Sequence, residues 1–252
     1  MVTAPHALVI LAVGLVAGTV NTIVGAGSLL TFPTLLALGY APVLANVSNT
    51  VGLISGSVSG AIGYRRELHG QARRILMLMP VVLLGTVGGA ILLLALPGSA
   101  FRHVVPVLIL FAVFLVLVQP SVARRRAARG ARREHPGALL QTGTFLTSIY
   151  GGYFGAAQGV VLLGLFGITL DEDMQRLNAA KNVVAASINA VGAIFFIVRT
   201  TIAWDVSGLL FLGSTVGGQI GAVVGRRLSP NVLRFTVAIV GTAVAIDLFV
   251  TG

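Results

Sequence analysis

The sequence predicts an all-α polytopic membrane protein, with about eight transmembrane regions in two repeats, inverted relative to each other, and glycine-broken helices. Three observations predict it. Hydrophobic residues make up 56% of the 252 and charged ones 10%, and the apolar runs match or exceed the roughly 20 residues that a helix needs to cross a hydrocarbon core. A glycine-broken apolar segment occurs twice, at 21–33 and 153–165. Most of the charge lies in the intervals between runs, the pattern of basic loops facing the cytoplasm.

The runs fall at about 7–38, 43–63, 75–96, 101–119, 138–170, 177–198, 205–225 and 231–250. They are continuously apolar rather than alternating, which argues against a β-barrel. The first is expected not to be a signal peptide, since residues 1–6 carry no Lys or Arg and the run is too long. The third and fourth are ordinary in length. The first and fifth are too long for one crossing; each is expected to split, the first around Gly25, Gly27 and Pro33, the second around Gly151, Gly152, Gly155 and Gly159. The expected organisation is a first transmembrane repeat (1–119), a basic cytoplasmic linker (120–137) and a second repeat (138–252).

The chain's net charge of +10 is read as topology rather than as a nucleic-acid surface. Basic loops at 65–74, 124–133 and 226–234 can all lie in the cytoplasm if 138–170 passes twice, or enters and returns. The loops at 65–74 and 226–234 correspond in the other half to 197–206, poor in basic residues, and 94–102, nearly neutral, which implies inverted repeats with both termini outside. A slide of 132 positions gives nine identities in 44 pairs over 21–64 against 153–196. It pairs Gly27 with Gly159, Asn46 with Asn178, Asn49 with Lys181 and Gly60-Ala-Ile62 with Gly192-Ala-Ile194. Corresponding broken helices usually mark a transporter, with its site where the breaks meet.

Two groups of residues could form that site. A helix starting after a glycine break presents unbonded N–H groups and a positive dipole end, which suit an anion. Asn21, Gly25, Gly27 and Ser28 in the first copy, and Gln158 and Gly159 in the second, stand at the breaks; close packing through small residues would explain the same glycines. The other group is Asn46, Ser48 and Asn49 with Asn178, Lys181, Asn182 and Asn189. Lys181 is the only lysine beside sixteen arginines. Either it snorkels to the interface or it faces a polar interior, where it would attract an anion.

No cysteines are present, which removes disulfides and thiolate chemistry. Asp247 is the only acid well inside an apolar run, and an interfacial place is expected for it. The four histidines have no metal-ligand spacing, so no metal and no cofactor are expected. No nucleophile-and-base arrangement lies within the runs, so an enzyme is not expected. Gly85, Gly88 and Gly89 suit helix packing within one chain or between copies in a homo-oligomer.

The order Gly18, Asn21, Gly25-x-Gly27-Ser28-Leu29-Leu30, Pro33, Leu35-Leu36, Gly39, then Ala45, Ser48-Asn49, Gly60 and Tyr64 resembles the sulfite exporter TauE/SafE family (TSUP). Gly152, Gly155, Gly159, Ala180-Lys181 and Asn189 resemble that family's second copy. The resemblance implies a multi-pass permease of the plasma (inner) membrane. It would carry a small anion, sulfite or a related sulfur-containing or organic one, with the lipid bilayer as surroundings and no nucleic acid. The second copy departs from the pattern: Ala157 and Gln158 stand at its break, and Leu165 at the position paired with Pro33. Rival readings are a carrier of a metal cation or neutral metabolite, and a non-transporting partner subunit.

Overall fold

The computed structural model describes residues 2–127 and 137–225, and beyond them positions 235, 239, 242, 243 and 246. The linker from 128 to 136 (with His135), most of the last apolar run, Asp247, and the basic loop of Arg226, Arg227 and Arg234 lie outside the described residues. Among the described residues the elements are all helical: α1 (Ala4–Ile23), α2 (Ser28–Ala37), α3 (Pro42–Gly63), α4 (Ala72–Ala95), α5 (Gly98–Ala127), α6 (Ala138–Tyr153), α7 (Gln158–Thr169), α8 (Met174–Arg199) and α9 (Trp204–Val224). Four of them, α1, α4, α8 and α9, are long and apolar enough to cross a membrane; α2, α7 and the 104–118 stretch of α5 are shorter apolar helices. The first and fifth apolar runs are each split, as expected. The first break lies at 24–27, and Pro33 is carried inside α2 instead of ending it. Helix α5 continues through 127, so the linker's first residues are helical.

Small residues set how the helices pack, because without a Cβ two backbones can approach closely. Gly85 lies against Phe145 and Gly89 against Ile149, so α4 and α6 run in the same direction; Gly217 lies against Leu15 and Gly221 against Thr19, giving α9 and α1 the same relation. These four glycines pack within the chain, whereas a Cβ on Gly88 would meet nothing within 4 Å. Hydrogen bonds hold α3 alongside α9: the Ser207 hydroxyl donates to the Ser48 carbonyl, Ser55 to that of Phe211 and Ser59 to that of Thr215. The result is one bundle of α1, α3 and α9 and another of α4, α6 and α8, each internally parallel. They meet where α3 and α8 pack in opposite directions, with Thr50 beside Gly192 and Ser57 beside Asn189.

The pairings recur under exchange of α1–α4 with α6–α9. Along α3 and α8 the offset is 132, as the sequence suggests. At the breaks it is 130. The Gly25 amide donates to the Val20 carbonyl and the Gly155 amide to that of Tyr150, both glycines with positive φ (+86° and +72°). Helix α7 is two residues longer than α2, and this absorbs the difference. Gly25 therefore corresponds to Gly155 and Ser28 to Gln158, not Gly27 to Gly159. The same side of the molecule holds the loop before α4 and the loop before α8. Glu172 pairs there with Arg74 (3.1 Å) and Arg176 (2.6 Å), and Arg176 also donates to the His69 carbonyl.

Candidate functional site

The two breaks meet in the centre. The Gly159 amide donates to the Gly25 carbonyl at 3.2 Å. A Cβ on Gly25 would come within 2.5 Å of Gly159 Cα, and one on Gly159 within 2.5 Å of Gly25 Cα. Both positions therefore require glycine for close backbone approach, and Gly25 also for its positive φ. Gly27 has the same steric demand, facing the Ala17 carbonyl and Asn21. After the first break, the amides of Ala26, Gly27 and Ser28 donate to no described residue. These N–H groups open α2 in a buried setting, the arrangement that favours an anion. Ser28 is half-buried at the first position of α2. In the second break, Ala157 adopts the left-handed conformation (φ +57°) without being glycine, a cost of roughly 1–2 kcal/mol.

Lys181 does not snorkel. It is fully buried, and its ammonium donates to the carbonyls of Asn21 (2.9 Å) and Thr22 (3.1 Å) at the broken end of α1. Asn178 and Asn182 donate to the Thr22 carbonyl as well, at 3.1 and 3.4 Å. Carbonyls at a helix C-terminus lack intrahelical partners and carry the negative end of the dipole, so a cation with amide donors is a matched cap. Two of the three ammonium donors are used in this way.

A second polar group lies further along α8. Asn189 donates to the Ser57 hydroxyl (3.3 Å) and accepts from Gln158 (2.8 Å); the Asn21 side chain also donates to Ser57 (3.2 Å). Four helices, α1, α3, α7 and α8, are thereby joined by one small network. Ser57 is its hub, and sequence reasoning missed it, although an offset of 132 pairs Ser57 with Asn189. Of the expected site residues, Asn21, Gly25, Gly27, Ser28, Gln158, Gly159, Lys181, Asn182 and Asn189 gather around the breaks. Asn49 does not join Lys181. It sits eleven residues before Gly60, which packs on Thr22, so it lies about 16 Å away along α3. Ser48 serves packing, accepting from the Ala203 amide at 3.0 Å.

An apolar groove of about 440 Å³ between α3 and α8, lined by Val58, Ile62, Val183 and Ser187 with Arg65 at its end, is separate from this polar centre. Among the described residues, no three His, Cys, Asp or Glu side chains gather as a metal site.

The family model of the sulfite exporter TauE/SafE matches residues 10–248. The chain belongs to the sulfite exporter TauE/SafE family. It is 26% identical over 243 residues to the probable membrane transporter protein YfcA of Escherichia coli K12, covering 94% of this chain and 87% of that protein. A probable membrane transporter protein of Haemophilus influenzae is 26% identical over 231 residues, covering 92% and 89%. The probable membrane transporter protein ORF9 of a Sinorhizobium species is 26% identical over 240 residues, covering 92% and 88%. No solved structure matches the chain. The family is one of membrane transporters, and the several apolar helices of this chain, four of them long enough to cross a membrane, fit a multi-pass membrane protein.

Proposed function

We propose that this TauE/SafE member is a secondary carrier of a small anion, sulfite or a related sulfur-containing or organic anion, in the plasma membrane. The observation that carries the reading is the meeting of the breaks: unbonded amides of Ala26, Gly27 and Ser28 open α2 where Gly25 touches Gly159. Close by, the buried Lys181 ammonium keeps one donor beyond those spent on Asn21 and Thr22. Donors and positive charge without a facing carboxylate favour an anion over a cation. Ser57, Asn189 and Gln158 form the polar surface beside it. The matched pairings of the two halves, and the opposed directions of α3 and α8, support an inverted repeat with its axis in the membrane plane. In that reading α1–α2 enters from one side and α6–α7 from the other, and eight apolar regions serve the whole. In the same reading Lys181 offers the anion its remaining donor as the centre opens to one side and then the other.

The test is uptake of labelled sulfite and thiosulfate into proteoliposomes, with wild type compared with Lys181→Gln. Loss of transport by tenfold or more, about 1.4 kcal/mol in the transport barrier, with an unchanged monodisperse elution profile, is expected. Transport unaffected by the substitution would leave the α2 amides as the site without the lysine. No flux of either anion under either gradient would overturn the sulfur-anion reading.

A further inference from the structure

The broken ends of α1 and α6 are built on one plan but finished differently. At α1, the carbonyls of Asn21 and Thr22 receive the Lys181 ammonium, with Asn178 and Asn182 donating beside it. At α6, Asn46 takes the place of Asn178 and donates to the Tyr153 carbonyl at 3.0 Å. Asn49 takes the place of Lys181, one turn on from Asn46 as Lys181 is from Asn178, and Thr50 that of Asn182. The offset of 130 makes Gly151 and Gly152 the counterparts of Asn21 and Thr22. Their carbonyls accept no hydrogen bond from any described residue.

The side chains at this end add more oxygens that have no hydrogen-bond partner. Asn46 Oδ1, Asn49 Oδ1, Thr86 Oγ1 and Gln158 Oε1 are all buried without a hydrogen-bond partner. Their residues lie about the end of α6: Gln158 Oε1 packs on Gly151, the Thr86 backbone packs on Gly152 with its side chain towards Gly192, and Asn46 and Asn49 are on the face of α3 that reaches Tyr153. Asn46, Asn49 and Thr86 are at most 2% exposed. Unpaired oxygens are costly to bury. Here they belong to residues around the negative end of a helix dipole, and unwound carbonyls and helix C-termini hold cations in transporters.

We infer that this end of α6 binds a sodium ion in the place where the other half holds the Lys181 ammonium. The ligands are amide, hydroxyl and backbone oxygens, hard and uncharged. They suit a monovalent cation, since a divalent one loses more hydration than neutral oxygens replace. One half thus carries its positive charge covalently and the other takes it from solution. The site stands independently of what is transported; its use as a coupling ion rests on the carrier reading above.

The first measurement is thermal unfolding of the purified full-length protein in sodium chloride against equal choline chloride. Sodium is expected to raise the midpoint by about 2–4 °C. Asn49→Lys supplies a tethered ammonium, as at 181, and should abolish the sodium response while unfolding in choline no earlier than wild type. Thr86→Val should weaken the response tenfold in sodium concentration. Equilibrium binding of labelled sodium to wild type covers the case in which the variants do not fold; one ion per chain supports the site. No sodium-specific shift and no bound sodium would overturn it. So would a response to pH alone, which would assign the oxygens to hydronium, or a shift retained in both variants. Sodium binding without anion flux would leave this site standing and remove the anion reading; anion flux without sodium binding would do the reverse.

Discussion

Gly25 carries two separate demands, and they can be told apart. Its φ of +86° costs a substituted side chain, and so does the backbone of Gly159 in its path. Gly39 has a similar φ (+87°) with nothing within 4 Å of a Cβ. Gly39→Ala should therefore lose only the conformational part, about 1–2 kcal/mol. Gly25→Ala should lose about 2–5 kcal/mol once the forced backbone shift is added. Chemical unfolding of the two variants checks the difference; equal losses would mean that the breaks are not in contact. Much at this scale was legible in the sequence, because glycine pairs in an apolar run and a single lysine are conspicuous against their surroundings. Ser57 was not, since one serine among many small residues on α3 gives no signal until α8 is laid across it. Nor was the separation of Asn49 from Lys181: corresponding positions in two copies suggested a shared site, but a two-fold relation puts counterparts at opposite ends unless they lie near the axis.

At the scale of elements, the start of α8 is tied to the start of α4 through Glu172. Burial alone would raise the Glu172 carboxyl; hydrogen bonds and charge from Arg176 and Arg74 outweigh it and hold it below the usual carboxylate range. A carboxyl lowered in the folded state stabilises fully above its unfolded value, and that contribution is lost as pH falls through the folded one. Stability should thus decline on acidification below about pH 4.5, the ordinary value. Glu172→Gln should remove that part of the decline. At neutral pH it should cost no more than about 1 kcal/mol, since the pair is partly exposed. Midpoints across pH for wild type and variant test this, and parallel profiles would exclude the role. The splitting of α1 from α2 and α6 from α7 could be read from length and glycine content. The offset of 130 at the breaks could not, because apolar residues in α7 give no landmark for a two-residue extension.

For the molecule as a whole, the described contacts place the loops at 64–71 and 170–173 on one side, with the loops at 38–41 and 200–203 on the other. The chain has no cysteine, so single cysteines report cleanly. A membrane-impermeant thiol reagent should reach His69→Cys and Asp171→Cys from one face of intact vesicles, and Tyr40→Cys and Thr200→Cys from the other. Labelling of all four from one face would contradict the inverted arrangement. Charge in the loops already pointed this way, but it rested on a few arginines. The packing of α3 against α8 depends on side chains far apart in the chain and left no trace in composition.

The grouping of α4 with α6 and α8, and of α9 with α1 and α3, means that α4 packs with helices from the second half of the chain and α9 with helices from the first. The chain therefore resembles an exchanged dimer whose two members have been fused by the linker. Cutting it between 127 and 137 would free neither member, because each would leave its closest packing partner behind. A rocking motion that keeps α4 on α6 and α9 on α1 would divide the molecule along the α3–α8 seam and work across the Gly25–Gly159 contact, so the moving bodies are assembled from both ends of the gene product rather than inherited from either.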